Sequence, residues 1–153
     1  LVAEFMLQAG PMAQIMSAEA MGFFTDFAAL QPQTDFAASV GLQVRRHMIA
    51  RAWNEFFADY PVILGPTWCQ PQFEHGFDVA GPASAGDTLN LMRFVVPMNL
   101  LGLPVACVPS GVADGLPLGV QVVANHGQEE LCLDIAAEIE AGLGVITPIY
   151  PRG

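Results

Sequence analysis

The sequence predicts an α/β fold in which helices pack on the faces of a β-sheet. Short apolar runs rich in β-branched residues at positions 62–65, 105–108 and 119–124 have the character of buried strands. Segments with apolar residues three and four positions apart lie before, between and after these runs, and this spacing is typical of amphipathic helices. Because strands and helices alternate along the chain, the α/β class is favoured.

Two helices are predicted ahead of the first strand, over residues 12–27 and 39–58, with Pro32 in the linker between them. The apolar residues of the first helix are expected to form one buried stripe: Met12, Ile15, Met16, Ala20, Phe23, Phe24 and Phe27. Those of the second recur at every fourth position, while its arginines take other faces: Val40, Val44, Met48, Ala52 and Phe56.

A long loop is predicted over residues 66–86, which contain three prolines and three glycines together with Trp68, Phe73 and Phe77. Loops of this length inside a compact domain are usually functional. A helical pattern then runs from Leu89 to Val96, and Pro97 is expected to kink or end that helix.

A turn and a final helix complete the predicted fold. Residues 110–118 separate the second and third strands and contain Asp114, Gly115 and Pro117, which are typical of turns. Residues 128–141 form a helix with Gly142 as its expected C-cap. Its inward side chains are expected to be Leu131, Ile135, Ala136 and Ile139.

The composition excludes several classes of partner. The 153 residues carry a formal net charge of -10 and only five Lys plus Arg, all of them arginine. Nucleic acids and anionic membranes are therefore not expected as partners, since both require clustered cations. The three cysteines, Cys69, Cys107 and Cys132, are too widely spaced for a zinc motif or a disulfide framework, which predicts reduced thiols and a cytoplasmic location.

The chain is also unusually apolar, with 53% hydrophobic and 13% charged residues and a mean hydropathy of +0.44. It begins at Leu1 without a recognisable signal peptide or natural start, so we expect it to be a piece of a longer protein. Excess apolar surface on such a piece predicts a homo-oligomer formed through a sheet edge or apolar faces.

Residues 98–124 are long and apolar enough to be considered as a membrane span. Repeated Gly and Pro together with Asp114 would break a spanning helix, so this interpretation is rejected.

The nucleophilic and ionisable side chains of the chain are also weak candidates for catalytic residues. Ser110 lacks the G-x-S-x-G pattern of a nucleophile elbow. Cys69, His75 and Asp78 lie close in sequence, but their spacing does not fix the geometry that a catalytic group requires. His47 is expected to be an ordinary residue on the surface of its helix.

One segment, residues 93–124, resembles the C-terminal conserved segment of the amidase signature family. That pattern runs roughly R-[FY]-x-x-P-x-N-x-x-G-x-P, then a strand, P-x-G and D-G-L-P-x-G-x-Q. The matching positions are Arg93, Phe94, Pro97, Asn99, Gly102, Pro104, Pro109, Gly111, Asp114, Gly115, Leu116, Pro117, Gly119 and Gln121. Residues 50–71 and 129–152 resemble flanking parts of bacterial amidases.

The resemblance implies that residues 1–153 are the C-terminal third of one larger amidase domain with a mixed β-sheet. Residues 1–60 are expected to be mainly helical and residues 61–153 to be α/β. Family members hydrolyse carboxylic amides with a serine, a second serine preceded by a cis peptide bond, and a lysine base. This sequence has no lysine and only four isolated serines, so the catalytic residues are expected upstream and the chain alone is expected to be inactive. No metal or organic cofactor is implied.

The long loop is expected to form one wall of the pocket for a small-molecule amide, through Thr67, Trp68, Phe73 and Phe77. The competing interpretation is that these aromatic residues only anchor the loop. In the glutamine-using component of tRNA-dependent amidotransferases, an acidic residue lies five positions before the proline of the segment, where this chain has Met92. An uncharged or aromatic amide is therefore favoured as substrate over glutamine, and a stand-alone, non-catalytic interaction module remains a third hypothesis.

Overall fold

The computed structural model describes residues 9–32 and 34–144. Helices and strands follow one another in a mixed order along these two ranges. They are α1 (Ala9–Met12), α2 (Ala18–Ala29), α3 (Phe36–Asp59), β1 (Val62–Pro66), α4 (Pro82–Leu91), α5 (Val95–Leu101), β2 (Val105–Ala113), β3 (Leu116–Ala124) and α6 (Glu129–Leu143). None of the helices in the described ranges has the length and apolar character that crossing a membrane requires. The two ends of the predicted domain, residues 1–8 and 145–153, lie outside the described residues.

The three strands form one sheet in the order β1-β3-β2. β1 runs antiparallel to β3, from Val62 opposite Ala124 to Pro66 opposite Val120, and β2 pairs antiparallel with β3 as a hairpin. The α/β class predicted from the sequence is confirmed. Both strand pairs in the described part of the chain are antiparallel.

The β2–β3 hairpin corrects the predicted turn over residues 110–118, which is much shorter in the structure. Only Asp114 and Gly115 separate the strands, and both have positive φ, 52° and 79°. Two left-handed residues in sequence are what a tight hairpin turn requires, and Asp-Gly is a favoured pair for it. A register shift between Pro109 and Gly111 leaves Ser110 as the extra residue of a bulge.

The core lies where α3, α5 and the sheet meet. Its buried members are Phe57, Met98, Leu101, Leu103 and Val123, with Ala50, Trp53, Ile63 and Phe94 packed against them. At the end of β3, residues 121–124 are all buried, and successive strand residues point to opposite faces, so both faces of the sheet are covered there. α6 packs along β2 and β3, with Cys132 buried against the Pro104 carbonyl.

The predicted continuous helix over residues 12–27 is wrong. Ser17 lies between α1 and α2 and caps α2, its hydroxyl accepting a hydrogen bond from the Ala20 amide at 3.2 Å. Ile15 falls in the break and is 79% exposed, so it takes no part in a buried stripe. The aromatic residues of α2 are half-buried, with Phe23 and Phe27 stacked, on a helix that packs against α4.

The second predicted helix is confirmed as α3, and its apolar repeat is not the side that packs on the core. Asp35 caps the helix by accepting from the Ala38 amide at 2.7 Å. The side of α3 that packs on the core carries Ala50, Trp53 and Phe57. The residues repeating every fourth position, such as Met48, are largely exposed instead.

Two expectations about helix ends are also corrected. Pro97 neither kinks nor ends a helix, because it is the third residue of α5, where the backbone needs no N–H donor. The break in the predicted helix lies earlier, between Leu91 and Val95. α6 continues through Gly142 to Leu143 and is capped by Gly144, whose φ of 75° is in the left-handed region that favours glycine.

Candidate functional site

The loop between β1 and α4, residues 67–81, is held against the sheet at its start. The Thr67 amide and hydroxyl both donate to the Gly119 carbonyl, each at 3.2 Å, and the Gln121 side chain donates to the Pro66 carbonyl at 3.1 Å. A Cβ on Gly119 would lie 3.0 Å from two atoms of the Thr67 side chain, so the strand and the loop pass closely here. The absence of a side chain at Gly119 therefore allows the start of the loop to pack closely against β3.

The loop has two further attachments beyond Thr67. The Cys69 amide donates to the Leu91 carbonyl at 3.1 Å, which ties the loop to the end of α4. The side-chain amide of Gln72 donates to the Pro117 carbonyl, which ties it to the hairpin. The loop segment between Cys69 and Gln72 is thus held by hydrogen bonds both to α4 and to the hairpin.

Three of the four predicted pocket residues form one row of aromatic rings. The ring centroids of Trp68 and Phe73 are 5.7 Å apart, and those of Phe73 and Phe77 are 5.0 Å apart, with tilted planes in both pairs. These separations are typical of favourable aromatic contacts. Thr67 stands apart from the row, because its hydroxyl is engaged with the Gly119 carbonyl.

A groove of about 240 Å³ opens between the start of the loop and the tip of the hairpin. Of the four predicted residues, Trp68 lines it. The other lining residues are Cys69, Gln70, Pro71, Gln72, Ala113, Asp114, Leu116 and Leu118. The lining offers one indole face, aliphatic side chains, two amides and one carboxylate, and it contains no cationic side chain. Such a surface suits an uncharged organic group better than an anion.

Sequence reasoning did not predict that the hairpin tip contributes to this groove. The signal was present in the Asp114-Gly115 pair, which indicates a two-residue hairpin when apolar runs flank it. A tight hairpin carries Leu116 and Leu118 on a projecting strand, opposite the loop that contains Trp68.

The other candidate nucleophiles are not assembled into a catalytic arrangement within the described residues. Ser110 is half-buried in the bulge of β2, and the His126 ring is engaged instead with the Leu101 carbonyl at 2.9 Å. No hydrogen bond joins Cys69, His75 and Asp78 in the part of the chain that the structure describes. Burial raises the pKa of the Cys132 thiol, which disfavours the reactive thiolate there.

Comparison with known proteins identifies the family. The family model described as Amidase matches residues 26–133, which is more than half of the chain. An indoleacetamide hydrolase from Bradyrhizobium japonicum is 37% identical over 122 residues, covering 73% of this chain and 24% of that protein. A second, from Bradyrhizobium diazoefficiens, is 32% identical over 92% of this chain and 27% of its own length.

Two further similarities extend the comparison. A glutamyl-tRNA(Gln) amidotransferase subunit from Lacticaseibacillus casei is 38% identical over 63% of this chain and 19% of its own length. The solved structure of a 6-aminohexanoate cyclic dimer hydrolase complexed with substrate superposes with a TM-score of 0.58 at 29% identity, covering 83% of this chain and 28% of that one. The chain thus spans about a quarter of the length of the proteins it matches. On the family match, this chain belongs to the amidase family.

Proposed function

We propose that this chain is the C-terminal part of an amidase that hydrolyses carboxylic amides to the acid and ammonia or an amine. In this proposal the chain supplies scaffold and one wall of the substrate pocket, while a serine, a second serine and a lysine from an upstream part of the polypeptide carry out the reaction. The match of the amidase family model to residues 26–133 is the observation that supports it most strongly.

The residues present in the chain support assigning catalysis to the upstream part of the polypeptide. A lysine acting as base must be neutral at working pH, and this sequence has no lysine to bury for that purpose. Ser110 lies in a strand bulge near the hairpin tip, whereas His126 follows the other end of β3 and is hydrogen-bonded to the Leu101 carbonyl. The purified chain is therefore expected to release no ammonia from amides. Hydrolysis that survives the Ser110→Ala substitution would contradict this part of the proposal.

The proposed substrate is an uncharged amide with an aromatic or apolar group. The groove beside Trp68 presents an indole face and leucine side chains, and its only charge is the Asp114 carboxylate. Apolar and aromatic groups gain free energy from burial against such a surface. The similarity to two indoleacetamide hydrolases makes indoleacetamide the first compound to test.

Glutamine hydrolysis in support of a tRNA-dependent amidotransferase is the second candidate, because a relative of that name matches 63% of the chain at 38% identity. Two features disfavour it. Met92 stands where the resemblance implies an acidic residue, and it is a half-buried residue at the C-terminal end of α4. The groove also has no cation for the α-carboxylate of glutamine, which would approach Asp114 instead.

A chimera tests the proposal. The segment of the Bradyrhizobium japonicum indoleacetamide hydrolase that aligns with this chain is replaced by the chain, and ammonia release is measured with indoleacetamide, benzamide and glutamine. We expect hydrolysis of the two aromatic amides at a kcat/KM at least about tenfold above that for glutamine, a difference of about 1.4 kcal/mol. A chimera that prefers glutamine would favour the amidotransferase-like function.

The role of the groove is tested in the same chimera by Trp68→Ala. Loss of the indole face is expected to raise the KM for indoleacetamide about tenfold with a smaller change in kcat, as for a contact made equally in ground and transition states. Leu133→Ala, an exposed site on α6, serves as the control and is expected to leave both constants unchanged. If Trp68→Ala behaves like the control, the groove is not part of the pocket.

A further inference from the structure

Helix α3 leaves most of its apolar surface uncovered within the described residues. Phe57 is the one buried residue among its 24. Seven large apolar side chains of this helix are exposed: Phe36, Val40, Leu42, Val44, Met48, Ile49 and Phe56. Phe36 is 86% exposed and Met48 is 67% exposed, which are large fractions for side chains that gain about 1.5–3 kcal/mol each from full burial.

Part of this exposed set lies away from the side of α3 that packs on the core. Successive helix residues are rotated by about 100°. Val44 and Met48 therefore lie on roughly the opposite side from Trp53 and Phe57, which contact the core. A helix that is apolar on both sides is characteristic of the interior of a larger protein.

The uncovered surface continues from α3 onto the sheet. A recess of about 250 Å³ between the helix and β1 is lined by Ala52, Trp53, Phe56 and Ile63. β1 also pairs with β3 alone among the strands that the structure describes, and Leu64, on the opposite face of β1 from Ile63, is 57% exposed. We call the exposed side of α3, this recess and the free edge of β1 the α3–β1 face.

We propose that the α3–β1 face docks the upstream part of a longer amidase polypeptide. The family model includes both α3 and β1, and the relatives are about four times longer than the segments they share with this chain, so an amidase has enough further chain to cover the face. A helix of 24 residues is about 36 Å long, and covering it requires a folded body rather than a single loop. The free edge of β1 offers unpaired backbone groups for another strand.

Charge disfavours a second copy of this chain as the occupant. An antiparallel pairing of two α3 helices centred on Met48 would bring Arg45 of one chain opposite Arg51 of the other, twice in each dimer. The helix carries three arginines against Glu55 and Asp59, a net charge of +1. Arg51 is paired with Glu55 at 3.1 Å, so the repulsion between Arg45 and Arg51 would disfavour a second copy by a modest amount.

The test compares the same substitution in two contexts. Met48→Asp is introduced into the 153-residue chain and into the chimera with indoleacetamide hydrolase, and Tm is measured for both. His47→Asp is the matched control, because it introduces the same side chain at the adjacent exposed position on the polar side of the helix. We expect Met48→Asp to lower the Tm of the chimera by about 5 °C or more, since it would place a charge in a buried contact, and to leave the Tm of the isolated chain nearly unchanged.

Three results would overturn the docking proposal. One is a Tm of the chimera that Met48→Asp shifts no more than His47→Asp does. Another is a stable dimer of the isolated chain, seen by sedimentation, that Met48→Asp dissociates, because a second copy would then be the occupant. The third is a chimera that is insoluble although the parent hydrolase is soluble. If the rest of the hydrolase covers the α3–β1 face as proposed, the chimera should expose no additional apolar surface.

The choice of partner rests on the proposed function, but the readout does not. The change in Tm shows whether the α3–β1 face is covered in the chimera, whether or not the chimera hydrolyses amides. A stable chimera that is sensitive to Met48→Asp but inactive would support the docking proposal and contradict the proposed function. A chimera that hydrolyses indoleacetamide but is insensitive to Met48→Asp would do the reverse.

Discussion

The close approach of Phe94 to β1 gives the sharpest stability prediction. Gly65 lies in β1, opposite Gln121 of β3, and the Phe94 ring stands directly over it. A Cβ built on Gly65 would be 2.5 Å from ring atom Cε2 of Phe94 and closer still to two other ring carbons. The substitution Gly65→Ala therefore cannot be accommodated unless the ring moves.

The magnitude follows from the size of that overlap. Carbon atoms pack at about 3.5–4.0 Å, so the ring must retreat by about 1 Å or more. Phe94 is itself packed against the core cluster, so the displacement disturbs contacts on the far side of the ring. Overpacking of this kind costs about 1–3 kcal/mol, and we expect about 3 kcal/mol because a rigid ring must move as a unit.

The assay is urea unfolding followed by circular dichroism, with Gly41→Ala as the control for the same chemical change. Gly41 lies within α3 with nothing within 4 Å of its added Cβ, so the control is expected to raise stability by about 0.5–1 kcal/mol. Phe94→Leu should relieve the clash, so the double variant should be about 2 kcal/mol more stable than the sum of the single effects predicts. If Gly65→Ala loses less than about 1 kcal/mol, or shows no coupling to position 94, the packing described here is incorrect.

Three further predictions follow from single residues. The buried Thr88 hydroxyl has no partner among the described residues, so Thr88→Val should raise the free energy of unfolding by about 1 kcal/mol, and a loss in urea unfolding would indicate a missed hydrogen bond. Asp114 has a φ of 52°, so Asp114→Val should cost about 1–2 kcal/mol while Asp114→Gly is tolerated; equal losses would argue against a left-handed residue. Burial raises the pKa of Cys132 above its ordinary 9.0, so its contribution to stability is complete below pH 9.0 and is lost as the pH rises through the folded-state pKa. Urea unfolding from about pH 8 to about pH 11 should show this decline, Cys132→Ala should lessen it, and an unchanged slope in the variant would contradict it.

The predicted elements of the fold were mostly correct in type, because local patterns determine them. The apolar runs at β1, β2 and β3 and the helical spacing in α3 and α6 were sufficient to predict those elements. The errors occurred where one or two residues end an element. Ser17 separates α1 from α2 by capping, and a proline such as Pro97 is harmless in the first turn of a helix, which periodicity alone does not distinguish.

The orientation of α3 could not be predicted, for a different physical reason. Its residues repeat as apolar at every fourth position, but the face that contacts the core is determined by Trp53 and Phe57. A helix with apolar residues on both sides can pack either side against the core. The sequence pattern indicates how much surface a helix can bury but not which neighbour buries it.

The candidate site was only partly predictable. The loop composition pointed to Trp68, Phe73 and Phe77, which the structure brings into one row, because aromatic residues between prolines and glycines tend to contact one another. The groove itself depends on the hairpin tip, which lies much later in the chain, at residues 113–118. Pairing of β1 with β3 brings the start of the loop close to the hairpin tip. Local sequence patterns do not reveal which distant segments come together in this way.

The hydrolysis rate of the chimera tests the central proposal most directly. The Bradyrhizobium japonicum hydrolase contributes everything outside the aligned segment, and this chain contributes the rest, including the groove beside Trp68 and the α3–β1 face. Ammonia release from indoleacetamide is measured for the chimera and for the parent enzyme under the same conditions, after circular dichroism has established that both are folded. We predict a kcat within about tenfold of the parent value, because the catalytic groups are expected to lie outside this chain. A folded chimera that releases no ammonia would contradict the proposal that this chain forms the scaffold and pocket wall of an amidase.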